Sequence, residues 1–361
     1  MADKIKVLVV DDSAFMRKFI SDMINNEPDM EVVDTAKDGD SAVNKVKSLA
    51  PDVVTLDVEM PGKNGLEVLR EIKNTGLSQV IMFSGLTARG SSITIEALRI
   101  GAFDFVQKPS GFKYFKIDEI KKELVEKIRY AAACKRKLQG KSDLNCRKGA
   151  LPISMPGTEE YRERSTGGTS KLEGKIKAVA LGASTGGPKV LHDVITKLPP
   201  DLNVPVFVVQ HMPPGFTKAF AERLDNNSFL QVSEAFDGEP VRPGKVYVAP
   251  GGYHMLIEDG KIKLDSSPPV HGVRPAADKL FVSAAEVYKE GLLCCVFTGM
   301  GKDGAEGVKA VKAMGGVVLA QDEATSVVYG MPKAAFETGC VDMVLPDYKI
   351  AEQIIRYIKG L

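Results

Sequence analysis

Through the first 136 residues, short apolar runs alternate with longer segments whose apolar positions fall three or four apart. The runs IKVLVV, MEVVDTA, DVVTLD, QVIMFSG and DFVQKP are rich in β-branched residues and of strand length, and amphipathic stretches of helix length separate them. Strands spaced by helices read as βαβ units that build a parallel sheet. The pattern predicts a doubly wound (βα)5 domain over residues 1–136, with helices on both faces.

The periodicity stops between 137 and 175, where Gly, Ser, Pro, Thr and charged residues dominate. Such a segment buries too little apolar surface to offset the cost of ordering it and reads as a flexible linker. Its basic cluster (Lys135, Arg136, Lys137, Lys141, Arg147, Lys148) reads as solvated charge, with a docking site for an acidic partner as the weaker alternative. From 176 to 361 the α/β rhythm returns, with strand candidates KAVALGAS, VPVFVVQHM, LLCCVFTGM, GVVLAQ and VDMVLP. The segment GKVYVAPGGYHMLIEDGKIKLD reads as antiparallel strands turning at Asp259-Gly260. The second domain is therefore expected to be doubly wound and mainly parallel, with a β-hairpin insertion.

Composition narrows the function classes. Lys and Arg number 48 against 47 Asp and Glu, a formal net charge of +1, so no global field draws the chain to nucleic acid or an acidic membrane. The second domain shows no evident helix-turn-helix, which argues against a DNA-binding output. No apolar run reaches the ~18 residues of a membrane span, and the N-terminal run ends at Asp11-Asp12, unlike a secretory signal. Five cysteines (Cys134, Cys146, Cys294, Cys295, Cys340) with no CxxC pair suit reduced thiols and a cytoplasmic location.

In a doubly wound sheet, functional groups gather beyond the carboxyl ends of the strands. Asp11 and Asp12 end the first strand, Asp57 the third, Ser84 the fourth, and Lys108 the fifth, just before Pro109. Clustered carboxylates repel one another unless a cation joins them, and oxygen-only ligands with open positions suit Mg²⁺. A carboxylate beside Mg²⁺ and a lysine can attack a phosphoryl group, the cations offsetting the developing charge. Taken singly, each residue reads as a helix cap, a turn former or a surface lysine; together they define a site. The series VVDDS…TLDVEMPGKNGLE…MFSG…FDFVQKP resembles the response-regulator receiver family across residues 1–130. That resemblance implies that Asp57 accepts phosphoryl from a histidine kinase. It also implies that Asp11, Asp12, Asp57 and the backbone of Glu59 hold Mg²⁺, that Ser84 and Lys108 contact the phosphoryl group, and that Phe105 is the aromatic switch residue.

In the second domain an apolar strand runs into Gly182-Ala183-Ser184-Thr185-Gly186-Gly187-Pro188, after which a helical pattern begins. A serine on such a turn is held exposed, and the helix N-terminus beside it favours negative charge. The segment lacks both the GxGxxG spacing and the GK[ST] ending of phosphate cradles, and a merely capping serine is the other alternative. A nucleophilic serine needs a base and a group that orients it. Of four histidines, His192 lies eight residues beyond Ser184 on the same helix, roughly 12 Å along the axis. His211 directly follows the strand VPVFVVQ and emerges on the same sheet edge as Ser184, and Asp303, after LLCCVFTG, supplies the acid. The chain order Ser–His–Asp differs from that of the α/β-hydrolases, but the chemistry needs only the geometry.

The runs GASTGGP, QHMPPGFTKAFAERL, VYVAPGGYHM, FTGMGKDGAEG and QDEATSVVYGMP resemble the chemotaxis protein-glutamate methylesterase/protein-glutamine deamidase (CheB) family. The resemblance implies hydrolysis of γ-glutamyl methyl esters and deamidation of glutamines on chemoreceptor cytoplasmic helices, with no cofactor for the hydrolytic step. It implies Met300 as an oxyanion contributor; Thr185, Met212 and His254 stand as wall or substrate-contact candidates. A complete receiver joined to a complete hydrolase further suggests that the unphosphorylated receiver covers the Ser184 edge.

Overall fold

The computed structural model describes residues 4–85, 87–109, 117–146 and 172–360. The chain forms two compact units, Met1–Gly157 and Thr158–Leu361. Unit 1 alternates β1 (Ile5–Val10), α1 (Ala14–Asn25), β2 (Met30–Ala36), α2 (Gly39–Leu49), β3 (Val53–Asp57), α3 (Gly65–Thr75), β4 (Gln79–Ser84), α4 (Ala88–Ile100), β5 (Asp104–Gln107) and α5 (Ile117–Cys146). The five strands are parallel in the order β2-β1-β3-β4-β5. β1 and β3 are buried almost throughout, which accounts for their near-continuous apolar runs. Local chemistry sets the helix starts: the Ser13 and Asp38 side chains accept from the N–H groups of Met16 and Ser41, and Asn64 with Glu67 forms a capping box.

Unit 2 continues with β6 (Ala178–Ala183), α6 (Gly187–Ile195), β7 (Val206–Gln210), α7 (Phe216–Asp225), β8 (Gln231–Glu234), β9 (Lys245–Val248), β10 (His254–Glu258), β11 (Lys261–Asp265), α8 (Ala277–Tyr288), β12 (Leu292–Val296), α9 (Ala305–Ala313), β13 (Val317–Gln321), α10 (Met331–Glu337), β14 (Met343–Leu345) and α11 (Asp347–Lys359). Seven strands form one parallel sheet in the order β14-β13-β12-β6-β7-β9-β8, and β10 and β11 form a separate antiparallel pair. From β6 the chain builds outward to β8 on one side, then returns through β12 to build the other. The switch point therefore lies between β6 and β12, where such sheets place their sites.

The fold expectation holds, with two refinements. The hairpin turns at Asp259-Gly260, both at positive φ, but it comprises only β10 and β11; the KVYV run ahead of it is β9, a parallel strand of the main sheet. β8, the edge strand beside β9, has no long apolar run to signal it: it is only QVSE. The core of this unit packs Phe207, Tyr247, Leu280 and Phe281 between sheet, hairpin and α8, and each such side chain is worth about 1.5–3 kcal/mol. A Cβ on Gly182 would lie 2.8 Å from Ala277 Cβ and 3.0 Å from Phe281 Cζ, so glycine there lets α8 lie directly on β6.

The segment read as a linker divides. α5 continues past Arg136 to Cys146, and residues 147–171, with Arg147 and Lys148 of the basic cluster, lie outside the described residues. At its other end Gly174 donates to Tyr357 O (2.8 Å) and Glu173 pairs with Arg356, which attaches these residues to α11. Lys135 is buried, donating to Pro51 O and paired with Asp52, so this member of the basic cluster has a structural role. Among the described residues, no helix is long and apolar enough to cross a membrane.

Candidate active site

Two polar sites stand at carboxyl edges of sheets, one in each unit. In unit 1, β1 delivers Asp11 and Asp12 and β3 delivers Asp57, with one carboxylate oxygen from each within 4.8 Å of the others. Asp11 and Asp57 are buried. Lys108, just past β5, lies 2.7 Å from Asp11 Oδ2 and 2.8 Å from Asp57 Oδ2. The Glu59 N–H donates to Asp57 Oδ1 (3.2 Å), and the Lys108 N–H to Ser84 O (2.7 Å). Burial pushes the Asp57 carboxyl above its usual range, against the pull of the Lys108 ammonium. Burial also opposes the Lys108 charge, but the hydrogen bonds to Asp11 and Asp57 outweigh it and hold that group above its ordinary value. Ser84 is buried next to this cluster. Phe105 is buried as well, with Lys127 Nζ 5.4 Å from its ring centroid and hydrogen-bonded to its carbonyl.

Three carboxylates lie together here and only two of them pair with the Lys108 ammonium, which leaves an excess of negative charge. Hard oxygen donors so close together fit a small divalent cation such as Mg²⁺.

In unit 2 the first group is Ser184, on the turn between β6 and α6. Its N–H donates to Thr298 O (3.0 Å), while its carbonyl accepts from Gly187 N (2.8 Å) and Gln210 Nε2 (3.0 Å). Gly186, the α6 N-cap, has φ +79°, and a Cβ there would lie 2.6 Å from Val327 Cβ. Gly186→Ala is expected to destabilise the fold by about 1–3 kcal/mol through strain and overpacking. A urea titration against wild type measures this.

The second and third groups are paired. His211 follows β7, its N–H donating to Ala183 O (3.1 Å), and its Nε2 lies 2.7 Å from Asp303 Oδ2. Asp303 is buried on the far side of β6, in the loop after β12. Its Oδ2 also accepts from Ala277 N (2.6 Å), and its Oδ1 accepts from Asp278 N and Gly304 N, each at 3.0 Å. Ala277 and Asp278 open α8, whose N-terminus has no side-chain cap of its own, so the Asp303 carboxylate serves as that cap. Burial alone would raise the Asp303 carboxyl; the His211 hydrogen bond and charge, with the α8 N–H groups, outweigh it and hold it below its ordinary range. An ionised Asp303 makes Nε2 the protonated ring nitrogen and leaves the lone pair on Nδ1.

Of the remaining candidates, Thr185 and Met212 are buried, and the Thr185 carbonyl accepts from Thr298 Oγ1 (2.9 Å). Met300 is half-buried just past β12. His254 requires correction as a substrate contact. It is fully enclosed, its Nδ1 accepting from Ala276 N and its Nε2 placed for Pro268 O, so it pins the segment ahead of α8 and has no face for a substrate. Sequence reasoning missed Gln210, Thr298 and Gln321. Each is a buried polar residue at or just beyond the carboxyl end of an apolar strand, and that position is the signal that could have found them.

Comparison with known proteins agrees with both halves. A family model described as a response regulator receiver domain matches residues 7–119, and one described as CheB methylesterase matches residues 179–354. A relative from Clostridium acetobutylicum is 48% identical over 361 residues, covering 99% of this chain and 99% of the relative. Relatives from Thermotoga maritima (47% over 364 residues, 99% and 100% covered) and Pyrococcus horikoshii (46% over 363 residues, 99% and 95% covered) carry the same name, protein-glutamate methylesterase/protein-glutamine glutaminase. With similarity at this level along nearly the full length, the chain belongs to the CheB family of receiver-linked methylesterases.

Proposed function

We propose that this protein is a phosphorylation-activated hydrolase of chemotaxis adaptation, acting in the cytoplasm on the cytoplasmic helices of chemoreceptors. It demethylates glutamate methyl esters, releasing methanol, and deamidates glutamines to glutamate. The observation that carries the reading is the His211–Asp303 pair, a 2.7 Å contact to a buried carboxylate held by three backbone donors, at the sheet edge where the Ser184 turn emerges.

Ser184 Oγ attacks the side-chain carbonyl carbon while His211 Nδ1 takes its proton, and Asp303 stabilises the imidazolium at Nε2. Backbone N–H groups, with that of Met300 among them, receive the negative charge that develops on the carbonyl oxygen. His211 returns the proton to the departing methoxide or amine, so methanol or ammonia leaves. Water, deprotonated by His211, then attacks the acyl-enzyme; glutamate is released and Ser184 regains its proton. Thr185 and Met212 wall the site.

In unit 1 an Asp57 carboxylate oxygen is the nucleophile toward phosphoryl from a chemotaxis histidine kinase, and Ser84 and Lys108 receive the transferred group. Asp11, Asp12, Asp57 and the Glu59 backbone would hold Mg²⁺, which when bound supplies charge neutralisation at the phosphoryl oxygens. Phe105 is the switch residue that couples the site to the rest of the domain.

The test is methanol release from a methylated receptor cytoplasmic fragment, with and without acetyl phosphate. Wild type should release methanol, and faster with the phosphodonor. Asp57→Asn should release it at the unstimulated rate under both conditions, because the amide is not a nucleophile for phosphorus. Absence of release by wild type would overturn the activity, and an equal phosphodonor response from Asp57→Asn would overturn the switch.

A further inference from the structure

We propose that Gln210 is a positioning residue for this hydrolysis: its side-chain amide ties the main chains at Ser184 and His211 together and so sets the separation across which the proton passes. The inference rests on the Ser184–His211–Asp303 reading above.

The nucleophile and base stand on adjacent strands, β6 and β7, paired in register as far as Ala183 and Gln210. The His211 N–H to Ala183 O bond closes that ladder (3.1 Å). Beyond it the two chains leave for different elements, Ser184 into the turn before α6 and His211 into the loop before α7. Gln210 bridges this gap: its Nε2 donates to Ser184 O (3.0 Å) and to His211 O (3.3 Å). Two carbonyl oxygens can be met only by the NH₂ end of an amide, so the side chain has one usable orientation. The residue is buried, where water cannot replace the lost bonds.

The other flank of Ser184 is held as firmly. Thr298 accepts the Ser184 N–H through its carbonyl and donates Oγ1 to Thr185 O, while its own N–H is taken by Gln321 Oε1 (2.8 Å). A lateral chain of hydrogen bonds thus runs Gln321–Thr298–Ser184–Gln210–His211 across the ends of β13, β12, β6 and β7. The Ser184 carbonyl keeps its bond from Gly187 N whether or not Gln210 is present. What Gln210 alone adds is the link to His211, so its loss should change the relation between the two groups rather than the turn itself.

The experiment uses the full chain and two variants. Gln210→Met keeps length and approximate volume without any donor, and Gln210→Asn keeps the amide on a stem one methylene too short to span both carbonyls. Methanol release gives kcat and KM per folded molecule, and the labelling rate of Ser184 by a small phosphonofluoridate reports nucleophile–base geometry without a receptor. Both variants should lose kcat by about 10²-fold, the cost of roughly an ångström of misplacement, with KM within about twofold and labelling slowed in parallel. Wild-type kcat and labelling in either folded variant would overturn the proposal, as would a loss confined to KM. Should Gln210→Met fail to fold, the amide-bearing Gln210→Asn decides. Wild type that is not labelled at Ser184 at all would instead overturn the triad reading on which the proposal stands.

Discussion

Ser184→Ala should reduce kcat for methanol release by about 10⁶-fold, the loss seen when a triad serine is removed from a serine hydrolase. The hydrogen bonds that hold residue 184 run through its main chain, to Thr298 O, Gly187 N and Gln210 Nε2. Alanine keeps all of them, so the fold should be unaffected and the whole loss should be chemical. Residual release should stay above the rate in water, because backbone donors beside the turn still stabilise the developing oxyanion. Single-turnover methanol release, paired with a thermal unfolding curve that matches wild type, measures the effect. Release within tenfold of wild type would remove Ser184 as the nucleophile.

Asp303→Asn should cost about 10⁴-fold in kcat and, unlike Ser184→Ala, should also destabilise the fold. Four donors converge on the Asp303 carboxylate: the His211 ring at Nε2 and the N–H groups of Ala277, Asp278 and Gly304. An amide has one acceptor end. If its NH₂ takes the Oδ2 position it meets the Ala277 N–H and forces His211 to place its proton on Nδ1, which removes the base. If its NH₂ takes the Oδ1 position it meets the Asp278 and Gly304 N–H groups, and of the α8 donors only Ala277 N–H keeps its acceptor. Either arrangement leaves buried donors unmet, at about 1–3 kcal/mol each.

The same carboxylate gives a pH signature. Its folded-state value lies below the ordinary 3.8. Its contribution to stability is therefore complete above that ordinary value and is lost as pH falls through the lower folded value. Wild type should lose more stability on acidification than Asp303→Asn does. Urea titrations of both proteins at neutral and acidic pH measure the difference, and parallel losses would show that Asp303 carries none of it.

The regulatory prediction rests on a different kind of charge. Burial raises the Asp57 carboxyl, and Lys108, shared between Asp57 and Asp11, works against that rise. Lys108 thus contacts one oxygen of the carboxylate proposed to accept phosphoryl. On the proposed reading, its displacement toward a transferred phosphoryl group would release Asp11.

How much of this was legible along the chain depends on how local each signal is. The ten strands read from apolar runs correspond to β1–β7 and β12–β14, because strand burial writes itself as a contiguous pattern. The polar residues that end those runs named both sites, since a parallel sheet must bring its carboxyl ends to one edge. By that rule Asp11, Asp12 and Asp57 lie together at one edge, and His211 lies with Asp303 at the other, where the Ser184 turn also stands. It failed where the neighbour was distant in sequence. His254 carries the same side chain as His211, but α8 and the Pro268 segment close over it, and nothing within the GGYHM run records that. β8 is four residues long, too short for a pattern, and β9 was read into the hairpin because only the sheet shows that it pairs with β7.

Tertiary structure also decided which of the polar strand ends meet. The strand order places β12 beside β6, although more than a hundred residues separate them, and so brings Asp303 to His211. It sets the N-terminus of α8 against the Asp303 carboxylate, adding its N–H groups to the His211 hydrogen bond that keeps the carboxyl ionised. Gln210, Thr298 and Gln321 look alike in the sequence, as single polar residues at the ends of apolar runs. Only the lateral hydrogen bonds between neighbouring strand ends distinguish a clamp from a cap. By itself the sequence determined which groups stand at the sheet edges, because the periodicity and termination of strands are local. Which of those groups meet, and in what protonation state, follows from strand order and burial, which are properties of the whole sheet.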